Sequence, residues 1–460
     1  MIDDEFPDAV ARLSIPAGGL GGMSRRRFLQ TLGIGAGAVA LTPVLSRLEA
    51  FAAPPIGLTD GVLVLIQMSG GNDGLNTLVP FADPHYYDAS LRSNIAIPAN
   101  QVLDVGNGFG LHPSLPKIKA RFDNGQVAIV RGVGYTPRDL SHFSSMGYWM
   151  GGWNGSPPTP SVGTGWVGRY LDGLPNAATE SLYAATIGTS VPLHLVGSQA
   201  RASGLPESIN GSFGIDRTGR DGSNGLLFDT IKTFGTGPGA TGLGIWGDSF
   251  AKSERDTMDL ATKIQPAYTG TLPNSDLGRQ LVLCARLINA NLGLRVLNAS
   301  FGNFDNHAAE GGVSGTHAGQ LAELDDAVDA FFAALNPAYL SRVLVMTFSE
   351  FGRRPESNDS GGTDHGTASV QFVIGQNVSG GLKGQQPSLT QLDRDGNLSY
   401  QVDFRNVYAN VLDTWLKADS TQVLGGTYPP LGLFASGPGG GSVPVPPRGH
   451  RARRARKRVA

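Results

Sequence analysis

Four short polar clusters carry the carboxylate and imidazole side chains that bind divalent metals in proteins. In chain order they are Asn72-Asp73-Gly74, Asn303-Phe304-Asp305-Asn306-His307, Ser349-Glu350-Phe351-Gly352-Arg353 and Gly362-Thr363-Asp364-His365-Gly366. This mixture of oxygen and nitrogen ligands suits zinc first, with manganese or iron as alternatives, better than calcium or magnesium alone. One or two ions are expected, and two such metals a few ångströms apart can clamp a phosphoryl or sulfuryl group and activate a nucleophile. The predicted metal ligands are Asp73, Asp305, His307, Glu350, Asp364 and His365.

Taken one at a time, these clusters also have structural explanations. Asp73 lies in the stretch GGNDGLNT, and aspartate before glycine commonly forms a tight turn. Asp305 and His307 would also suit a hydrogen-bonded pair within a loop. Adjacent Asp364 and His365 between glycines fit no packing role, which makes them the most specific pair. The presence of four such clusters, rather than any one of them, favours a metal site.

A hydroxyl nucleophile is expected at the start of the helix that follows the second predicted strand. Ser141 is the first choice and Thr136 the second, because a hydroxyl at a helix start can meet an anion and the exposed N–H groups. The alternative is that Ser141 only caps the helix. His142 would serve as a ligand or a proton donor. Arg353, or its neighbour Arg354, would neutralise an anionic substrate.

Apolar runs near these clusters predict β-strands, and helical patterns alternate with them. The predicted strands are Val62–Met68, Val127–Gly132, Leu294–Ala299, Val343–Phe348 and Val370–Gly375. The predicted helices are Ser114–Asn124, Ser141–Met150, Asp276–Asn291, Thr316–Leu335 and Phe404–Lys417, with Thr316 as an N-cap. This alternation favours an α/β fold in which helices sandwich a mainly parallel sheet. Ligands bind at the carboxyl ends of strands in such sheets, so the fold would bring the clusters to one rim.

Both ends of the chain and one internal segment differ in composition from the predicted α/β domain, residues 53–436. Ser24-Arg25-Arg26-Arg27-Phe28-Leu29 matches the twin-arginine export pattern, and Ala50-Phe51-Ala52 resembles a cleavage site. Residues 1–52 are therefore a predicted signal for the twin-arginine export machinery, with a weak membrane anchor as the alternative. Residues 437–460 predict a disordered basic tail, and the Gly/Ser/Thr-rich residues 153–270 predict a large insertion.

Charge and cysteine content narrow the classes of function. Residues 53–447 carry 24 basic and 33 acidic side chains, a net charge of −9, which argues against nucleic acid as a partner of the folded domain. The single cysteine, Cys284, permits no intramolecular disulfide or thiolate cluster, so a buried structural role is favoured. Export would place the protein in the periplasm, the cell envelope or outside the cell, in an oligomeric state that the sequence leaves open.

Several motifs together resemble one bacterial family. SRRRFL, LIQMSGGNDGLNTLVP, SHFSSMGYWMGG, GTGWVGRYLD, FGNFDNH, TFSEFGR and GGTDHG are similar to the twin-arginine-exported family called domain of unknown function 1501. That family looks like a branch of the alkaline phosphatase/sulfatase superfamily. The resemblance implies an alkaline phosphatase-like fold, with Asp73 as a metal ligand after the first strand and a nucleophile in the Thr136–Ser141 region. It also implies that Asp305 and His307 bind metal.

The chain departs from the superfamily pattern at the fourth predicted strand. Glu350-Phe351 stands where an acid and a histidine are usual, and Asp364-His365-Gly366 follows later in the chain. The function implied is an exported metal-dependent hydrolase of phosphate or sulfate esters. The alternatives are a non-catalytic envelope protein that keeps the fold to bind an anionic glycan, and a protein whose metal is only structural.

Overall fold

The apolar run VLVLIQM forms the buried strand β1 (Val62–Met68) inside the main sheet. In this computed structural model, the described residues are 55–57, 60–92, 94–152, 163–178, 180, 182–188, 190–207 and 263–434, all within the unit 50–460. The predicted export signal 1–52 and the predicted tail 437–460 lie outside the described residues.

The described residues form three sheets and helices of several kinds. The strands are β1 (Val62–Met68), β2 (Leu78–Val79), β3 (Leu103–Gly106), β4 (Phe109–Leu111), β5 (Val127–Gly134), β6 (Ala184–Ile187), β7 (Ala202–Leu205), β8 (Val296–Phe301), β9 (Val343–Phe348), β10 (Arg353–Ser357), β11 (Thr363–His365), β12 (Ser369–Ile374), β13 (Gly381–Lys383) and β14 (Val402–Asp403). The α-helices are α1 (Gly74–Thr77), α2 (Ala89–Arg92), α3 (Pro116–Asp123), α4 (His142–Gly151), α5 (Trp166–Asp172), α6 (Asp276–Asn289), α7 (Thr316–Ala334), α8 (Phe404–Asn410) and α9 (Ser420–Leu424). Short 3₁₀ segments occupy Pro84–Tyr87, Leu193–Leu195, Gln265–Tyr268 and Pro337–Arg342, and a π-helical segment occupies Val411–Trp415.

The main sheet has the order β13-β5-β12-β9-β1-β8-β6-β7, with β14 beside β5. Strands β9, β1, β8, β6 and β7 pair in parallel, which confirms the predicted mainly parallel α/β sheet. Strand β12 is antiparallel to both β9 and β5. The residues between β9 and β12 form the antiparallel pair β10–β11, so no helix crosses over to return the chain in parallel.

Side-chain alternation along β1 explains why helices cover both faces of the sheet. Val64 and Ile66 lie in the core that contains residues of α6 and α7. Leu63 and Leu65 point to the opposite face and lie in the core formed with residues of α4, α5 and α8. A strand buried on both faces reads as a continuous apolar run, which is the pattern that predicted β1.

Part of the segment expected to be an insertion belongs to the main sheet instead. Strands β6 and β7 extend the sheet beyond β8, so this part of residues 153–270 contributes to the main sheet. Both strands have four residues, Ala-Ala-Thr-Ile and Ala-Ser-Gly-Leu, and such short runs of small side chains give little periodicity. Residues 208–262 of the same segment lie outside the described residues.

The long helices lie close to their predicted bounds, with two differences. Gly315, not Thr316, is the N-cap of α7, and Thr316 is the first helical residue. The predicted helix Phe404–Lys417 is α-helical only to Asn410 and continues as the π-helical segment. Cys284 is fully buried in α6, as predicted. Within the described ranges, none of the helices has the length and apolar character needed to cross a membrane.

Candidate functional site

The carboxyl ends of three neighbouring parallel strands bring three of the polar clusters to one rim of the sheet. Met68 at the end of β1 is level with Phe301 of β8, and Gln67 is level with Phe348 of β9. The loops that begin there carry Asp73, Asp305 and Glu350. The fourth cluster lies on β11, which pairs with β10 just beyond β9.

Two glycines let these loops approach closely. Gly70 and Gly71 have φ angles of +119° and +82°, a region that favours glycine. A Cβ on Gly70 would lie 2.4 Å from the backbone nitrogen of Asp305, and one on Gly71 would lie 2.6 Å from the Phe351 ring. The glycine pair in GGNDGLNT therefore allows the β1 loop to pack against the β8 and β9 loops.

Asp305 is the centre of a half-exposed cluster of nitrogen donors. Its Oδ1 atom lies 3.0 Å from His307 Nε2, 3.2 Å from His365 Nε2 and 3.3 Å from His142 Nε2. Arg353 Nη2 is 2.6 Å from the same oxygen. Ligand atoms of His142, Asp305 and His365 lie within 4.8 Å of one another, so these three residues could hold one metal ion.

The charge of Asp305 is fixed by its neighbours. Burial raises the pKa of this carboxyl, but the hydrogen bond and positive charge of Arg353 outweigh burial and lower the pKa to about 2. The charges of His142 and His307 act in the same direction. Asp305 is therefore ionised at any physiological pH, which is the state that a metal ligand needs.

The second ring nitrogen of each histidine has its own acceptor. His142 Nδ1 lies 2.8 Å from Glu350 Oε1, and His307 Nδ1 lies 3.1 Å from Asp364 Oδ1. His365 Nδ1 lies 2.8 Å from the backbone oxygen of Leu140. The hydrogen bond from Asn358, together with the one from His307, lowers the pKa of the Asp364 carboxyl. These contacts bring together five of the six predicted ligands, and His142 joins them from α4.

Arg353 does not occupy the position expected of a group that holds substrate. Its side chain is 0 % exposed. The guanidinium donates to the backbone oxygens of Gly70, Gly71, Phe304 and Thr363 as well as to Asp305. The prediction that Arg353 binds the anionic substrate is wrong, because these acceptors use its donors and link the β1, β8 and β11 regions. Arg354, the next residue, is partly exposed, and its charge acts on Asp364.

Of the two candidate nucleophiles, Ser141 is closer along the chain to the cluster. It occupies the N-cap position of α4, but its side chain makes no capping hydrogen bond. Ser141 is exposed and lies between Leu140, whose oxygen contacts His365, and His142. Thr136 is also exposed but lies five residues earlier, before Pro137.

Asp73 belongs to a different, buried cluster. Its carboxylate accepts from Arg92 Nη1 at 2.5 Å and Nη2 at 2.9 Å, and it caps α1 through the Leu75 backbone nitrogen. Burial alone would raise the pKa of Asp73, but the charge and hydrogen bond of Arg92 hold it well below its usual value. The predicted single site that included Asp73 is therefore corrected: both carboxylate oxygens are committed to a buried ion pair.

Sequence reasoning missed two members of this buried cluster, Arg92 and Glu310. Burial and the charge of Asp73 raise the pKa of Glu310 well above its usual value. Its Oε2 accepts from Thr363 Oγ1 at 2.6 Å, while Oε1 has no hydrogen-bond partner among the described residues. A proton on Oε1 would supply the missing donor toward Asp73. The stretch FDNHAAE places Glu310 three residues after His307, which was the only signal available, and Arg92 had none.

Comparisons with known proteins give one extensive match. A family model described as protein of unknown function (DUF1501) matches residues 61–423. No curated protein matches the chain. A solved protein in the alkaline phosphatase superfamily from Vibrio parahaemolyticus is 11 % identical with a TM-score of 0.27, covering 77 % of this chain and 70 % of its own. The structure described as Ps i-CgsB is 11 % identical with a TM-score of 0.34, covering 80 % and 75 %. These TM-scores are too low to support an argument about the site.

Proposed function

The chain belongs to the DUF1501 family, and from its exposed Asp305 cluster we propose that it is an exported, metal-dependent hydrolase of phosphate or sulfate esters. The observation that carries the proposal is the convergence of Asp305, His142 and His365 at a partly exposed site, with the exposed residue Ser141 directly before His142 in the chain. The fold class alone would not carry it, because one fold supports many chemistries.

The residues present fit a divalent metal. His142 Nε2 is buried, has no hydrogen-bond partner among the described residues and lies 3.3 Å from the ionised Asp305. An orphaned imidazole nitrogen beside a carboxylate is the donor set that zinc prefers, with manganese or iron as alternatives. His142, Asp305 and His365 would hold the ion, with His307 next to them. When bound, the metal would supply Lewis-acid stabilisation of the ester oxygens.

Ser141 is the proposed nucleophile, with Thr136 as the second candidate. Its hydroxyl would attack phosphorus or sulfur from the N-terminal end of α4, where the helix dipole favours an anion. The bond to the ester oxygen would break as the alcohol takes up the hydroxyl proton and leaves, and water would then release phosphate or sulfate from Ser141. The Ser141 side chain makes no capping hydrogen bond to α4, so its oxygen is available for this role. Arg353 supports the reaction indirectly, because it keeps Asp305 ionised and fixes the loops around it.

One observation favours the second candidate function, a non-catalytic protein that binds an anionic glycan. Phe143, the residue after His142, is 91 % exposed. An aromatic side chain beside a charged cluster would offer a flat apolar surface to a sugar ring while the cluster holds the anionic group. A binding protein would need these groups but not the Ser141 hydroxyl.

The experiment measures the metal content of the purified full chain and its hydrolysis of p-nitrophenyl phosphate and p-nitrophenyl sulfate. We expect bound metal and turnover in the wild type, and loss of both in Asp305→Ala. Asp326→Ala is the control, because Asp326 is 69 % exposed and pairs with Lys117 at the surface. Metal-free, inactive wild type would reject the hydrolase. Bound glycan in Ser141→Ala without turnover in the wild type would favour the binding protein.

Export by the twin-arginine route to the periplasm, cell envelope or medium is part of the proposal and rests on the sequence Ser24–Leu29. We expect a double Arg25→Lys, Arg26→Lys variant of the full chain to accumulate inside the cell. Unchanged export of this variant, measured by fractionation and immunoblotting, would reject the route.

A further inference from the structure

The three histidines of the Asp305 cluster are oriented in the same way. In each one, Nδ1 contacts an oxygen acceptor outside the centre: Glu350 for His142, Asp364 for His307 and the Leu140 carbonyl for His365. Each Nε2 points inward and lies within 3.3 Å of Asp305 Oδ1. His307 Nε2 and His365 Nε2 are 2.9 Å apart. Metal-binding histidines show this pattern, because an acceptor on one nitrogen leaves the other free to ligate.

Glu350 is poorly suited to bind a metal directly. Its side chain is 2 % exposed. Oε1 accepts from the Gly70 backbone nitrogen at 2.8 Å and contacts His142 Nδ1 at 2.8 Å, and Oε2 accepts from Ser349 Oγ at 3.2 Å. Both oxygens of this buried carboxylate are therefore already engaged by hydrogen-bonding groups of the protein.

Buried arginines already neutralise the carboxylates that a second metal ion would need as ligands. Asp73, a predicted ligand, has both oxygens on Arg92, and Arg353 lies against the Asp305 oxygen. Both guanidinium side chains are buried, with exposures of 1 % and 0 %. A second divalent ion at Asp73 would meet the fixed charge of Arg92 instead of a free carboxylate.

We propose that the site holds one ion, bound by the Nε2 atoms of His142, His307 and His365 together with Asp305, and that Glu350 and Asp364 are positioning residues. This inference deepens the proposed function and rests on it. Glu350 and Asp364 fix the tautomer in which Nδ1 carries the proton and Nε2 carries the lone pair. The six carboxylate and imidazole residues predicted as ligands thus divide into ligands, positioning residues and the separately buried Asp73.

Zinc stoichiometry by mass spectrometry and ligand counting by X-ray absorption at the zinc edge test the proposal on the purified full chain. We expect one zinc with three imidazoles in the wild type and two imidazoles in His142→Ala. Glu350→Gln and Asp364→Asn should keep one zinc and three imidazoles but weaken zinc binding by roughly 10–100-fold. Glu356→Gln is the matched control, since Glu356 is an exposed residue of β10, and its zinc affinity should equal that of the wild type.

The outcomes separate this inference from the proposed function. One zinc with fewer than three imidazoles, two zinc ions, or a changed ligand count in Glu350→Gln would overturn the ligand assignment while leaving a metal-dependent hydrolase intact. A wild type that binds neither zinc, manganese nor iron would overturn both. Asp364 is 54 % exposed, so Asp364→Asn tests the positioning role even if a change at buried Glu350 disturbs folding.

Discussion

Two carboxylate clusters lie near the same rim of the sheet and differ in how far their negative charge is exposed to solvent. Asp73 is 2 % exposed and is neutralised inside the protein by Arg92. Asp305 is 45 % exposed, and three imidazole nitrogens converge on it. A buried charge must be paired by the protein itself, whereas an exposed cluster can keep donors for a ligand from solution. Exposure, more than residue type, therefore separates the structural carboxylate from the candidate catalytic one.

The largest expected effect comes from breaking the buried pair. Arg92→Met would leave the Asp73 carboxylate buried without a counter-charge, and we expect a loss of about 3–5 kcal/mol in the free energy of unfolding. Urea denaturation measures this loss. The control is Lys119→Met, which breaks the exposed pair with Asp123 and should cost less than about 1 kcal/mol. Equal losses in the two variants would contradict the contrast between the clusters.

Substitutions at the exposed site should lower the rate of ester hydrolysis more than the free energy of unfolding. We expect Ser141→Ala to lower kcat by roughly 100-fold or more, because the attacking oxygen is removed, with a stability change within about 0.5 kcal/mol. Thr136→Ala is the matched comparison and should leave kcat nearly unchanged. Steady-state hydrolysis of p-nitrophenyl phosphate measures both variants. The reverse order of effects would identify Thr136 as the nucleophile.

The buried cluster should also make stability depend on pH through Glu310. Its pKa is raised in the folded state, so the folded protein keeps a proton that the unfolded chain loses above its ordinary pKa. Stability is then fully present below the unfolded pKa and falls as the pH rises toward the folded pKa. Glu310→Gln imitates the protonated carboxyl, and we expect it to be more stable than the wild type at alkaline pH, because the amide does not lose a proton there.

The melting temperature of Glu310→Gln and of the wild type, followed between about pH 6 and about pH 10, checks the sign of this effect. Glu323→Gln, a change at a partly buried carboxyl on α7, controls for general charge removal. Parallel curves for Glu310→Gln and the wild type would show that Glu310 is not protonated in the folded protein.

The smallest expected effect is at the exposed edge of the site. Phe143→Ala removes an aromatic ring that is 91 % exposed, so stability should change by less than about 0.5 kcal/mol. If the ring stacks on the group carried by the ester, KM for aryl esters should rise by roughly 2–10-fold, as expected for one aromatic contact. KM for a short alkyl phosphate should not change. Tyr87→Ala, at another exposed large hydrophobic residue, is the control, and a KM effect there would argue against a local role for Phe143.

The elements of the fold were predictable where the local pattern is strong. Strand β1 and strand β9 have their predicted bounds, because continuous apolar runs indicate strands buried on both faces. Strands β6 and β7 were missed, because each has only four residues and their mostly small side chains show no clear hydrophobic periodicity. The antiparallel direction of β12 could not be predicted from the sequence either, because it depends on how the β10–β11 pair reverses the chain.

The sequence by itself determined which residue types were available. These are carboxylates and histidines in loops after strands, the glycine pair Gly70-Gly71 in the loop after β1, and a serine before a helix. Only the tertiary structure decided their roles. Asp73 meets Arg92 across 19 residues, and Gly70 meets Glu350 across 280, so no local pattern records either contact. Burial then separated the two carboxylates, because Asp73 is sealed from water together with Arg92, whereas Asp305 contacts buried Arg353 but stays partly exposed to a ligand from solution.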